Sequence, residues 1–270
     1  MAPAPAEAGR AEWRPLICFG VGVVVLASLF AFLVFPSVSE RFGLSWWKIF
    51  RRCVSVAACV SLWLVVRVVA RRSFESYGFT SWRAGKRQLA FGALLGLGTL
   101  FVMLGLGLAT GVCAIRVTDD AARLWRTVAL AVPAMLAVSL LEELVFRGVI
   151  LQQLAPASRF GALLVSSGLY AAVHVKSPEL TLLTWLELGG LFLLGGVLAL
   201  SYFRTGQLYA AVGLHAALAY GARVNKLLVQ FTDPSMAWLS GTSRLVNGLA
   251  GWIALAGMGG VIWWAGPKLL

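Results

Sequence analysis

An all-α, polytopic membrane bundle of about eight transmembrane helices is the architecture expected of this sequence, for three reasons. Apolar residues make up 60% of its 270 residues and charged ones 13%, with a mean hydropathy of +0.84. Soluble domains run near half apolar and a quarter charged, so composition excludes a soluble globular enzyme. The apolar residues also gather into runs approaching the 20 or so needed to cross hydrocarbon. Those runs are continuous rather than alternating, as in spanning helices and unlike the strands of a barrel.

Residues 1–15, small and rich in Ala and Pro, read as a disordered prefix, and residues 16–270 as a single transmembrane helical domain. The first run, Leu16–Phe35, is longer than the apolar core of a signal peptide. It is therefore expected to stay on the chain as a helix despite the small residues Ser37-Val38-Ser39 after it. Cys53–Ala70 is the second run. Between it and the next, Arg71–Gln88 mixes basic residues with Phe74, Tyr77, Phe79 and Trp82, a composition suited to lying along the membrane surface. The third run, Leu89–Ile115, is long and carries Gly92-x-x-x-Gly96 and Gly107-x-x-x-Gly111, which place small residues one turn apart for close helix packing. Val128–Leu151, Gly161–Val175, Leu180–Phe203, Gln207–Gly221 and Leu245–Ala265 complete the set, the fifth and seventh runs being short. Gly189-Gly190 and Gly195-Gly196 repeat the small-residue pattern on the sixth.

The net charge of +12 comes from 23 basic and 11 acidic residues. They are scattered through the gaps between apolar runs rather than gathered into a stripe, which fits membrane-flanking positions and argues against a nucleic-acid partner. They also divide almost evenly between the two sides of the expected bundle, so charge does not fix its orientation. The partners implied are membrane lipids, and the location is a multi-pass integral protein of a cell or cytoplasmic membrane. Cys18, Cys53, Cys59 and Cys113 lie in or beside apolar runs without C-x-x-C spacing and read as small apolar packers.

Ionisable groups inside a span cost several kcal/mol unless paired or functional, so the few present carry the information. They are Arg67, Glu142, Glu143, Arg147, His174, Glu187 and His215. The two histidines are the chain's complete set, and each falls in a different apolar run. Glu142 and Glu143 point about 100° apart on a helix and so face different surroundings. Arg147 lies one turn after Glu143 in the favourable Glu-before-Arg order, which leaves Glu142 to face the interior as the candidate base. At 1.5 Å per residue, Glu142 and His215 come to roughly 14 Å and 12 Å from the amino-terminal side, and His174 to roughly 20 Å. A shared pocket is expected. Glu187 falls near the opposite surface and reads as structural, and Arg67 as snorkelling from the end of its span.

Glu142-Glu143-Leu144-Val145-Phe146-Arg147 resembles the E-E-x-x-x-R motif of the CPBP (CAAX protease and bacteriocin-processing, or Abi) family of intramembrane proteases, which includes the Rce1-like CAAX endopeptidases. Tyr170-Ala171-Ala172-Val173-His174 is similar to that family's F-x-x-x-H, with Tyr for Phe, and Gly213-Leu214-His215-Ala216 to the start of its H-x-x-x-N. The likeness covers about 130–221, with a catalytic core expected at about 128–221. It implies an intramembrane endopeptidase that hydrolyses a peptide bond in a membrane-associated peptide or protein substrate: a CAAX-like tail, a leader or a sorting tail. Glu142 with His174 would activate water, His215 would help stabilise the oxyanion, and Glu143 with Arg147 would hold the helix and the pocket. Tyr170, one turn before His174, reads as a supporting residue, by packing or through its hydroxyl. A glutamic-type mechanism without a cofactor is favoured. Zinc held by Glu142, His174 and His215 is the alternative, since two imidazoles and a carboxylate also suit a catalytic zinc. One departure stands out: Ala219 occupies the place where many members carry Asn. A proton-coupled transporter and a non-catalytic immunity or binding protein with a degenerate site are the competing readings.

Overall fold

A computed structural model describes residues 13–79, 82–175, 181–242 and 246–269. Most of the expected prefix lies outside the described residues, as do the first residues of the sixth and eighth runs, Leu180 and Leu245. Eight long helices occur where the eight runs lie. They are α1 (Trp13–Phe42), α2 (Trp46–Leu64), α3 (Trp82–Ala109), α4 (Ala121–Glu143), α5 (Arg159–Ala172), α6 (Leu182–Thr205), α7 (Tyr209–Leu228) and α8 (Leu249–Ala265). Side-chain caps set several starts. Asp120 accepts from the Arg123 amide at α4, Ser158 from the Gly161 amide at α5, and Thr181 from the Thr184 amide at α6, each satisfying a donor the first helical turn leaves without a partner.

Six of the eight are long and apolar enough to cross a membrane. Among the described residues α5 and α7 fall short of that criterion, and the six that meet it bear out a polytopic all-α bundle. α5 has 14 residues, or about 21 Å against a hydrocarbon core of about 30 Å. α7 has 20 residues, but its sequence is rich in Ala and carries His215, Arg223 and Lys226. The helices that meet the criterion present large apolar side chains outward, Phe32, Phe101, Trp125 and Ile253 among them, as a lipid-facing surface requires.

Contacts group the chain into two compact units, Met1–Ser76 and Tyr77–Leu270, where hydropathy alone marks no boundary within 16–270. The change comes just after the polar stretch Arg71-Arg72-Ser73, which has no apolar side chain to pack. In the first unit α1 lies against α2 around Ala31, Ile49 and Cys53. In the second, α7 is central and packs against α3 and α4, while α6 packs against α5 and α8. The approach of α3 to α7 depends on small residues: a Cβ at Gly92 would collide with the carbonyl of Ala210, and one at Gly213 with that of Leu89.

Three local features differ from the hydropathy reading. The third run stays helical only to Ala109; Gly111 turns with φ +72°, and Cys113–Ile115 (β1) pairs antiparallel with Val229–Phe231 (β2), Cys113 opposite Phe231. Trp82–Gln88, expected along the surface, forms the first turns of α3, and both Tyr77 and Gln88 are buried. α4 continues beyond Glu143 as a π-helical stretch, Leu144–Leu151.

Candidate active site

The two adjacent carboxylates stand at the junction of α4 and the π-helical stretch, a wider turn that recurs at functional sites. Glu143 points inward and is fully buried. Its Oε1 accepts from Arg147 Nη1 at 3.0 Å, and Arg147 Nη2 donates to the Gly195 carbonyl on α6, also at 3.0 Å. The guanidinium lies 4.8 Å from the centre of the Tyr170 ring. A Cβ at Gly195 would press on Ser167 of α5 at 2.9 Å, so glycine brings that carbonyl within reach. Ser166 Oγ donates to the Phe146 carbonyl at 2.8 Å and ties α5 to the same stretch. Glu142, about 100° away around the helix, keeps 28% of its side chain exposed, and its Oε2 makes no hydrogen bond among the described residues.

Both imidazoles are anchored through Nδ1. His215 Nδ1 donates to Glu143 Oε1 at 2.8 Å, and His174 Nδ1 to the Tyr170 carbonyl at 2.7 Å. In its neutral form each ring carries its proton on Nδ1 and presents Nε2 as an acceptor. The two Nε2 atoms face Glu142: Oε2 lies 3.6 Å from that of His215 and 4.0 Å from that of His174. The Tyr170 hydroxyl reaches His215 Nε2 at 3.4 Å. Glu142, Glu143, Arg147, Tyr170, His174 and His215 thus share one neighbourhood.

His174 does not lie inside a span. α5 ends at Ala172, and His174 sits in the turn that follows, its amide donating to the Ala171 carbonyl. Hydropathy misses this helix end because Val173 and Val175 extend the apolar run. Glu143's bond to His215 was also hidden, since the partners are 72 positions apart. Glu187, placed near the far surface by counting residues, instead lines the same cavity as the histidines. Arg67 is on the Val65–Val69 turn of the first unit, away from these groups in sequence and exposed.

That cavity, of about 270 Å³, has largely aliphatic walls from α3, α6, α7 and α8; Tyr170, His174 and His215 form part of its lining, with Ala219 one turn beyond His215. Two imidazole nitrogens and a carboxylate are donors zinc accepts, but zinc–ligand bonds near 2.0–2.2 Å in a tetrahedron need tighter convergence. Among the described residues no group of three His, Cys, Asp or Glu has the geometry to hold a metal ion. As placed, the three side chains do not fit zinc.

Residues 124–220 match the Rce1-like family of type II CAAX prenyl endopeptidases. This Rce1-like stretch runs from the first turn of α4 into α7 and contains all six residues described above. It bears out the resemblance carried by the E-E-x-x-x-R and histidine motifs over nearly the same residues. No curated protein and no solved structure matches the chain.

Proposed function

We propose that this protein is an intramembrane endopeptidase in which Glu142 and His174 activate water against a peptide bond of a membrane-associated substrate. The observation that carries the reading is the facing of Glu142 Oε2 by the Nε2 atoms of both histidines at 4.0 Å or less, beside a cavity that His174 and His215 line. Water held about 2.8 Å from the carboxylate and from one Nε2 would bridge the two. Glu142 takes one proton from the water as its oxygen bonds to the carbonyl carbon, and His174 Nε2 accepts from the other O–H and fixes the angle of attack. The proton then passes from Glu142 to the departing nitrogen. His215, oriented by Glu143, closes the opposite side, and Arg147 holds Glu143. The match to CAAX prenyl endopeptidases favours a prenylated carboxy-terminal tail as substrate over a leader or sorting tail.

The test uses the full chain in proteoliposomes with a fluorogenic prenylated CAAX peptide. Glu142→Gln, inserted at the wild-type level, is expected to lower cleavage by about a thousandfold, within the range for a general base. Equal cleavage by Glu142→Gln would refute the assignment. The glutamic-type mechanism further predicts that activity withstands prolonged chelation; loss on chelation with recovery on adding zinc would transfer Glu142, His174 and His215 to a metal.

A further inference from the structure

We infer that the Tyr170 hydroxyl is the hydrogen-bond donor to the oxyanion formed on the substrate carbonyl, an assignment that rests on the peptidase reading above. Attack by water drives the carbonyl electron pair onto oxygen, and that charge needs a donor already in place. Arg223 and Lys226 also line the cavity, but the groups beside the attacking water are committed. Glu142 has no proton to give at that moment, having only begun to take one from water, and His174 accepts from the same water. In its neutral form His215 gives its one proton through Nδ1 to Glu143 at 2.8 Å, and its Nε2 is then an acceptor. Ala219, one turn beyond His215 on the same cavity wall, has no donor at all.

Tyr170 does. Its O–H stands 3.4 Å from the bare Nε2 of His215, a long hydrogen bond that is cheaply exchanged for one to an anion. The ring is 2% exposed and is gripped on several sides. Phe146 meets it edge-on at 5.2 Å, the Arg147 guanidinium lies 4.8 Å from its centre, and the His215 ring stands nearly perpendicular to it at 5.9 Å. Its own carbonyl holds His174, so the residue that orients one side of the water also presents the donor on the other. Tyr170 lines the cavity together with both histidines. Tyr170 keeps its proton throughout. It donates to the oxygen while the C–O bond to water forms, and releases it when the electron pair returns, the C–N bond breaks and the proton on Glu142 moves to the leaving amine.

The experiment measures kcat, KM and thermal unfolding for the full chain in proteoliposomes on the prenylated CAAX peptide. It compares wild type, Tyr170→Phe, Tyr170→Phe with Ala219→Asn, and Glu142→Gln. The expected result is a fall in kcat of about a hundredfold for Tyr170→Phe, the usual loss for one oxyanion donor, with KM and unfolding temperature unchanged. Ala219→Asn in that background is expected to restore about tenfold by supplying an amide donor from the same wall. Wild-type kcat in Tyr170→Phe beside an inactive Glu142→Gln overturns this inference and leaves the peptidase reading intact. A fall accompanied by a lower unfolding temperature and no restoration by Ala219→Asn assigns Tyr170 to packing and also overturns it. Cleavage unaffected by Glu142→Gln, or absent in wild type, removes the peptidase reading and this inference with it.

Discussion

Glu143 and Glu142 are chemically identical neighbours with opposite tasks, and burial divides them. Glu143 is fully buried, bonded to Arg147 and His215, while Glu142 keeps 28% of its side chain exposed and its Oε2 unbonded. Removing one partner of a buried pair leaves the other's charge uncompensated, at about 3–5 kcal/mol. Glu143→Gln is therefore expected to lower the thermal unfolding temperature markedly in detergent, because Arg147 loses its counter-charge. Glu142→Gln, at a partly exposed side chain, is expected to leave unfolding within about 0.5 kcal/mol of wild type, the range for positions outside packed networks, while lowering cleavage about a thousandfold. A stable Glu143→Gln protein would mean that the Gly195 carbonyl alone suffices for Arg147. Half of this arrangement is legible in the sequence: adjacent helical residues diverge, and Glu143 and Arg147 are one turn apart. The other half, the bond from His215, depends on where α7 lies, and local spacing carries no such information.

The elements that carry the site are unevenly legible in hydropathy, for reasons visible in particular residues. Hydropathy locates α4 and the start of α7, but its run stops at Gly221 although α7 continues to Leu228, because Arg223, Asn225 and Lys226 interrupt the apolar pattern. It overran α5, where Val173 and Val175 hide the helix end, and α3, where Cys113-Ala114-Ile115 prolongs an apolar run as a strand. The small-residue pattern was more informative, since Gly92 does sit where α3 and α7 meet. Gly213 makes the matching contact from α7, two residues before His215: a Cβ there would collide with the Leu89 carbonyl and approach the Ala93 amide at 3.0 Å. Both neighbours are backbone, so neither yields by rotating a side chain. Gly213→Ala is expected to push α7 away from α3 at a cost of about 1–3 kcal/mol. A displacement of about 1 Å at a catalytic group costs on the order of a hundredfold in rate, so cleavage is expected to fall far more than stability. Near-normal activity in Gly213→Ala would show that the registry of α3 against α7 does not set the position of His215.

At the scale of the whole chain, the helices that position the two histidines, α5 just before His174 and α7 around His215, are those least suited to meeting lipid by themselves. α5 is too short to cross, and α7 is buried over most of its length by α3 and α4. Polar groups within hydrocarbon persist only where protein or a water-filled cavity surrounds them, and the more apolar helices of the second unit supply that enclosure. The first unit contributes none of the six candidate residues, all of which fall in Tyr77–Leu270. Its boundary also has a chemical marker: Tyr77 is buried, and its carbonyl accepts from Gln152 Nε2 at 2.9 Å, just beyond the π-helical stretch. A chain that begins shortly before Tyr77 retains that bond, whereas one that begins at Trp82 loses it. With separate compact units, local stability is expected to follow the unit rather than the chain. The longer of the two truncated chains is therefore expected to stay in membranes through an alkaline wash and to keep Glu142-dependent cleavage of the prenylated peptide. The shorter one is expected to lose activity as the free Gln152 amide loosens the turn that carries Glu143. If the longer chain inserts normally yet cleaves nothing, residues before Tyr77 supply something the chemistry needs, and the site extends beyond the side chains assigned to it.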